Sequence, residues 1–257
     1  MGAMLVERIW AGNAGRNFSY LVACADTGEA LVIDPYNADQ CLTAAAAHRW
    51  RITQVLNTHE HGDHTRGNAG VRAATGAKLL AHARAEKRIG RLDRALAGGD
   101  AVAVGSSVRL DVLDTPGHTM SHVCLLADGH FFSGDTLFNA GVGKCDGAGD
   151  PAVLFKTFAT VIATLADDVR VCPGHDYLRR NLGFTLDREP GNRRAGQMLE
   201  RIENAEGAHA PFLTLGAERE INVFLRVQEP EVVARAGAAD PTPREVFLAL
   251  RARRDRW

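Results

Sequence analysis

The chain has no apolar run approaching the roughly 20 residues of a membrane-spanning helix, which argues against a membrane protein. It has no charge of one sign to spare. Lys and Arg total 30 against 31 Asp and Glu, a formal net charge of -1, so no global field favours nucleic acid or an anionic lipid surface. Aromatics are scarce at 6%, and no basic, aromatic-rich platform offers a nucleic-acid surface. Cysteines number five (Cys24, Cys41, Cys124, Cys145 and Cys172), and no two form a CxxC. Four of them, Cys24, Cys41, Cys124 and Cys172, read as small buried hydrophobes in a reducing compartment. Cys145 stands apart, between Lys144 and Asp146 in a Gly-rich loop. No G-x-S-x-G elbow marks a serine nucleophile. No signal-peptide pattern opens the chain, so a cytoplasmic location is the expectation.

What is present is an ordinary globular composition, 46% hydrophobic and 24% charged over 257 residues. That is enough chain to bury a core and hold a site rigidly. Strand-like and helix-like segments alternate through the first two-thirds. Phe18 to Ala23, Ala30 to Ile33, Ile52 to Leu56, Val108 to Leu113, Val123 to Leu126, His130 to Phe132 and Val169 to Cys172 read as strands. Ala38 to His48, a segment from near Asp63 to Ala74, and Pro151 to Leu165 read as helices. From Tyr177 onward helical patterns dominate: Tyr177 to Asp187, Arg193 to Asn204 and Arg244 to Arg256, the last opened by the capping box Thr242-Pro243-Arg244-Glu245. The expectation is an α/β body over 1–175 followed by a helical appendage over 176–257.

The most informative feature is His59-x-His61-x-Asp63-His64, directly after a strand. Imidazole and carboxylate are ligands of zinc, iron and manganese. Four ligand types within six positions rarely serve packing, so metal binding outweighs a structural role. His59 and His61, two apart in extended chain, point the same way and share a metal. Asp63 and His64 reach a second metal only through a turn at Gly62 and a helix start. His118 in Thr115-Pro116-Gly117-His118-Thr119, Asp135 in Ser133-Gly134-Asp135-Thr136 and His175 in Pro173-Gly174-His175 also follow strands. Alone, His118 or His175 is more often a surface or satisfied core residue. Isolated His48, His82, His130 and His209 carry no ligand reading, and His122 reads as a hydrogen-bonding partner near His118.

These motifs, with Gly134-Asp135-Thr136-Leu137-Phe138 and Gly174-His175-Asp176-Tyr177, resemble the metallo-β-lactamase superfamily. Asn181-Leu182-x-Phe184, Glu189-Pro190-x-Asn192, Asn222-x-Phe224-x-Arg226 and Leu250-Arg251-x-x-Arg254-Asp255 narrow the resemblance to glyoxalase II, the hydroxyacylglutathione hydrolases. The resemblance implies an αββα sandwich with a C-terminal helical substrate-binding domain. It places His59, His61 and His118 on one divalent ion, and Asp63, His64 and His175 on another. Asp135 bridges them, and Asp63 and Asp135 set the charge of the catalytic centre. Zinc is the expected metal, iron and manganese the alternatives. The implied reaction is hydrolysis of S-D-lactoylglutathione, in methylglyoxal detoxification, by water activated at the metals. The implied glutathione contacts are Lys144, Tyr177, Arg251 and Arg254. Arg251 and Arg254, three apart on a helix, share a face beside Phe247 and Leu250, whereas Arg253 and Arg256 read as a solvated helix end.

Three departures stand out. Glu60 and Gly62 replace a His and a Trp that are not ligands, so metal binding should survive. Asp146 stands where the family often has a glutathione-holding Tyr, and it sets a negative charge near an anionic substrate. It keeps open a lactonase or other small-ester hydrolase. A persulfide dioxygenase with mononuclear iron ranks below the thioesterase for want of the long helical C-terminus. A metal-binding protein without turnover ranks last, since every ligand position is filled.

Overall fold

The structure, a computed structural model, describes residues 3–147, 149–202 and 205–257. Two six-stranded sheets face each other. The first runs β1 (Met4–Trp10), β2 (Phe18–Cys24), β3 (Glu29–Ile33), β4 (Arg51–Asn57), β5 (Lys78–His82), β6 (Arg94–Leu96) in spatial order. It is antiparallel from β1 to β3 and parallel from β3 to β6. The second contains β7 (Ala101–Val104), β8 (Val108–Asp114), β9 (Val123–Ala127), β10 (His130–Gly134), β13 (Arg170–Pro173) and β14 (Leu213–Thr214), in the order β14-β13-β10-β9-β8-β7. A short ribbon, β11 (Leu137–Phe138) with β12 (Gly141–Val142), leaves the end of β10.

Alternation along the strands sorts side chains into layers. In β2, Phe18, Tyr20, Val22 and Cys24 enter the core between the sheets, while Leu21 turns outward with Val32, Cys41 and Val55. That outer core is covered by α1 (Ala38–Ala47) and α3 (Asn68–Thr75), with α4 (Glu86–Ile89) at the edge. On the second sheet Phe132 and Leu125 point inward; Phe131, Cys124 and Val171 point out onto Leu154 and Phe158 of α5 (Pro151–Thr160). The αββα layering expected from the resemblance is therefore observed.

After His175 come α6 (Leu178–Arg188), α7 (Arg193–Arg201), α8 (Leu215–Ile221), α9 (Pro230–Ala236) and α10 (Pro243–Arg254). They are not a detached unit. Phe184, Val223, Phe224, Val232, Phe247 and Leu250 complete the same outer core as Phe131 and Leu154. Thr242 caps α10 by accepting from the Glu245 amide at 3.4 Å, with Pro243 at its first position.

Several element assignments differ from the sequence reading. The helix expected from Asp63 to Ala74 is two pieces, α2 (Gly62–Thr65) and α3. Between them the Gly67 amide donates sideways to the Pro35 carbonyl, at 2.7 Å. The helix expected to Leu165 stops at Thr160 and tightens into a 3-10 turn, Ile162–Thr164. The helix from Arg193 ends at Arg201; positions 203 and 204 lie outside the described residues. Strands β5, β6 and β7 and helices α8 and α9 were not anticipated. β5 is buried on both faces after Lys78 and shows no alternation, and α8 and α9 are seven residues each, too short for a clear period.

Candidate metal centre

The seven ligand-type residues converge at one end of the sandwich. The chain bends at Thr58 and His59 as it leaves β4, and α2 begins at Gly62, the turn that carries Asp63 and His64 onto the same side. His118 follows β8, Asp135 follows β10 and His175 follows β13. Glycines allow the close approach. A Cβ on Gly134, whose φ is +47°, would meet Thr58 Oγ1 at 2.5 Å, and one on Gly174 would meet Asp135 Oδ1 at 2.4 Å.

The ligand atoms of His59, His61 and His118 all lie within 4.8 Å of one another, and so do those of Asp63, His64 and His175. His118 Nε2 is 3.0 Å from His61 Nδ1, and His64 Nε2 is 3.1 Å from His175 Nε2. Ligands on one tetrahedral ion, at metal–nitrogen bonds of about 2.0–2.1 Å, sit about 3.3 Å apart. Asp135 lies between the groups. Its Oδ1 is 3.3 Å from His64 Nε2, and its Oδ2 is 3.5 Å from His118 Nε2 and 3.3 Å from His175 Nε2. Two buried atoms have no hydrogen-bond partner and face this centre, His59 Nε2 and Asp135 Oδ1. Orphaned buried polar atoms carry a desolvation cost, which a cation between them removes.

Each ring is aimed by its far nitrogen. The Thr58 hydroxyl donates to Asp34 Oδ2 at 2.6 Å, so the His59 Nδ1–H 3.0 Å away donates to Thr58. His64 Nδ1–H donates to Asp34 Oδ2 at 3.0 Å, and His175 Nδ1–H to the Gly15 carbonyl at 2.6 Å. His118 Nδ1–H donates to the Lys144 carbonyl. These bonds turn the Nε2 atoms toward the centre. Burial and the neighbouring His64 hold His59 well below the usual imidazole range. Burial also pushes His64 down, but Asp135 and Asp34 outweigh it and hold it well above. Burial raises Asp135, yet His175 and His64 bring its carboxyl well below the ordinary carboxylate value. Opposed charges at these separations are what a metal site looks like to its own ligands. The donor set fits divalent cations.

Sequence reasoning missed Asp34, the acceptor common to Thr58 and His64. Its one available signal was its position, an acid at the end of β3 just as Asp135 ends β10. Asn17, which donates to Asp63 Oδ2 at 3.0 Å, had no local signal. Glu60, read as tolerated, ties two ligand loops: its Oε2 accepts from Thr119 Oγ1 at 3.0 Å and from Ser121 Oγ. His122 holds Asp135 rather than His118; its Nε2 accepts from the Asp135 amide at 3.1 Å.

Next to the centre opens a cleft of ≈ 300 Å³, walled by Phe138, Lys144, Tyr177, Arg180, Arg251 and Arg254. Tyr177 stacks on His175, with ring centroids 5.0 Å apart and planes 7° apart, and donates its hydroxyl to Gly15. Arg180 was not singled out from sequence, although it follows Tyr177 by one helical turn. Arg251 is only 4% exposed. Its guanidinium donates to the Val142 and Gly143 carbonyls and to Asp255. Burial and Arg180 lower Arg254 to about 10, and its Nη2 donates to Asn181 Oδ1 at 3.1 Å. Lys144 is exposed and pairs with Asp146 at 2.8 Å. Burial pushes the Cys145 thiol up to about 12, which makes it a poor nucleophile. A larger hollow of ≈ 640 Å³, between α5 and α10, holds none of the seven ligands. No helix among the described residues is long and apolar enough to cross a membrane.

Comparison with known proteins agrees with this geometry. Residues 12–175 match the model of the metallo-beta-lactamase superfamily, and 176–257 that of the hydroxyacylglutathione hydrolase C-terminus. A hydroxyacylglutathione hydrolase of Nitrosococcus oceani is 50% identical over 99% of this chain and all of its own length. One of a Polaromonas species is 51% identical over the same shares. Among solved structures, ETHE1 from Myxococcus xanthus superposes with a TM-score of 0.70 over 98% of each chain, at 24% identity. A metallo-beta-lactamase from Staphylococcus aureus gives 0.68 over 98% of this chain and 72% of its own, at 23% identity. Those two likenesses show the shared fold. The full-length relatives and the two family matches place the chain in the hydroxyacylglutathione hydrolase family of the metallo-β-lactamase superfamily.

Proposed function

We propose that the chain hydrolyses S-D-lactoylglutathione to glutathione and D-lactate at a centre of two divalent ions. The observation that carries the two-ion reading is Asp135, whose carboxylate lies within 3.3–3.5 Å of histidines from both three-residue groups. His59, His61 and His118 would hold one ion; Asp63, His64 and His175 the other; Asp135 would bridge. Bound there, two cations supply an activated water near neutral pH and polarise a carbonyl. Zinc is the expected metal, with iron and manganese acceptable to the same donors.

The chain's own residues do the rest. Asp34, Thr58, Gly15 and the Lys144 carbonyl fix the ring orientations, so the ligands need no reorganisation. Phe138 and Tyr177 form an apolar wall between the centre and the cleft. Arg180 and Arg254 give the cleft its cationic character, which suits a carboxylate of a glutathione moiety, while Lys144 and Arg251 are paired with Asp146 and Asp255. The leaving thiolate is a stable anion and needs no general acid. In this reading 1–175 carries the chemistry and 176–257 the thiol-binding surface.

Metal-loaded protein should therefore remove the thioester absorbance of S-D-lactoylglutathione. Protein with full metal content that leaves the thioester intact sinks the assignment, and a lactone panel comes next.

Asp146 tunes this cleft. It neutralises Lys144 from an exposed position, so Asp146→Asn should lower KM for S-D-lactoylglutathione about two- to fivefold, the scale of an exposed pair. The gain should fade at high salt, with kcat unchanged. An unchanged KM at low salt would show that Lys144 does not meet the substrate.

A further inference from the structure

Between β11 and the loop leading to Lys144, five consecutive residues have backbone groups held by side chains of the helical C-terminal part. Asn181 of α6 donates to the Asn139 carbonyl at 2.9 Å. Glu218 of α8 accepts from the Ala140 amide at 2.7 Å. Asn222 donates to the Gly141 carbonyl at 3.2 Å. Arg251 of α10 donates to Val142 at 2.9 Å and Gly143 at 3.2 Å. All four side chains belong to buried residues. Ala140 sits at φ +56°, a left-handed conformation that a residue with a Cβ keeps only when its surroundings enforce it.

The same stretch reaches the metal ligands. The next carbonyl, that of Lys144, accepts the His118 Nδ1–H and so selects the tautomer whose Nε2 faces His61 and Asp135. Gly143 lies against Asp135: a Cβ there would stand 1.9 Å from the Asp135 carbonyl oxygen. A shift of the 139–143 backbone therefore moves the partner of one ligand and the support of another.

We propose that Glu218, with Asn181, Asn222 and Arg251, positions the metal centre through the 139–144 backbone, so that the helical part sets metal affinity as well as binding the thiol. This rests on the two-ion reading above. Glu218 is the most informative member. Burial pushes its carboxyl up to about 8, and it acts through Oε2, which accepts from the Ala140 amide at 2.7 Å and from Asn222 Nδ2 at 3.2 Å. Gln offers the same acceptor. Ala leaves the Ala140 amide unpaired in the interior.

The test is chelator-competition titration of the full chain with Zn(II), together with Co(II) absorption spectra, on the wild type, Glu218→Gln, Glu218→Ala and Val232→Ala. Val232 is buried in α9 and makes no side-chain hydrogen bond to the loop, so it reports generic destabilisation. Glu218→Ala should weaken one of two ions by about 10- to 100-fold, the range for partners behind metal ligands, and alter the Co(II) spectrum. Glu218→Gln should stay within about twofold of wild type, and Val232→Ala should lower Tm without changing affinity. The proposal is overturned if Glu218→Ala binds both ions as tightly as wild type. It is equally overturned if Val232→Ala weakens binding as much at the same loss of Tm. One ion in the wild type overturns the two-ion reading, and the positioning role is then judged on that ion by the same comparison. Should Glu218→Ala not fold, Asn181→Ala, which frees the Asn139 carbonyl, takes its place with the same expectations.

Discussion

Asp135→Ala should reduce kcat/KM for S-D-lactoylglutathione by more than the ~10- to 100-fold that follows loss of a partner behind the ligands, because Asp135 faces both ligand groups directly. The Asp135 side chain is 9% exposed and its Oδ1 has no protein hydrogen bond. Without it, His64 and His175, with Nε2 atoms 3.1 Å apart, lose the negative charge between them, and the carboxylate that reaches both His118 and His175 is gone. Asp135→Asn tests charge against shape: it preserves the volume and removes the anion, so it should fall nearly as far as Ala. Kinetics and metal content are read on the same samples. Either variant retaining activity within about tenfold of wild type at full metal content would remove Asp135 from the centre, since direct ligands are not replaceable by neutral isosteres at such small cost. In metal-free protein the sign of the stability effect is also fixed. A depressed carboxyl contributes stability above its unfolded pKa, lost as pH falls through the folded value. The wild type should therefore lose more stability on acidification than Asp135→Ala.

Glu218→Gln should change the pH dependence of stability in the opposite sense. Glu218 is fully buried; burial raises its carboxyl from 4.5 to about 8, only partly offset by the Ala140 amide and the Asn222 side chain. The native state thus holds a proton that the unfolded chain releases over that interval, and stability falls as pH rises through it. At about 1.4 kcal/mol for each tenfold change in proton affinity, the loss between 4.5 and about 8 is of the order of several kcal/mol. The Gln variant has no proton to lose and keeps the acceptor for Ala140. Chemical denaturation of metal-free protein should show the two chains converging at the acidic end of this window. At the alkaline end the variant should be the more stable. Parallel curves across the window would mean that Glu218 titrates normally and that its carboxyl is reached by water.

The chemistry of the centre was legible in the sequence because it is local. His59, His61, Asp63 and His64 fall within six positions, and the turn at Gly62 that aims the last two is where α2 begins. The strand ends before His118, Asp135 and His175 were readable from apolar runs closed by Gly or Pro, and the layered body followed from their alternation with helices. Segments without a period were not readable: β5 is buried on both faces after Lys78, and α8 and α9 are too short to show a stripe.

The cleft shows the boundary between the two kinds of information. Sequence placed Arg251 and Arg254 on one helical face, reaching toward the site. The fold buries Arg251 against the carbonyls of Val142 and Gly143 and leaves Arg254 beside Asn181. It pairs Asp146 with Lys144, and it brings in Arg180, one helical turn after Tyr177. By itself the sequence marked seven residues of metal-ligand type and put them at strand ends, where the structure brings them together. Only the tertiary structure decided what holds them there: Asp34 behind Thr58 and His64, Gly15 behind His175, and the Lys144 carbonyl behind His118. Ligand type is a property of a residue and its immediate spacing, whereas a hydrogen bond between segments 30 or 160 residues apart exists only once the packing fixes their separation to a few tenths of an ångström.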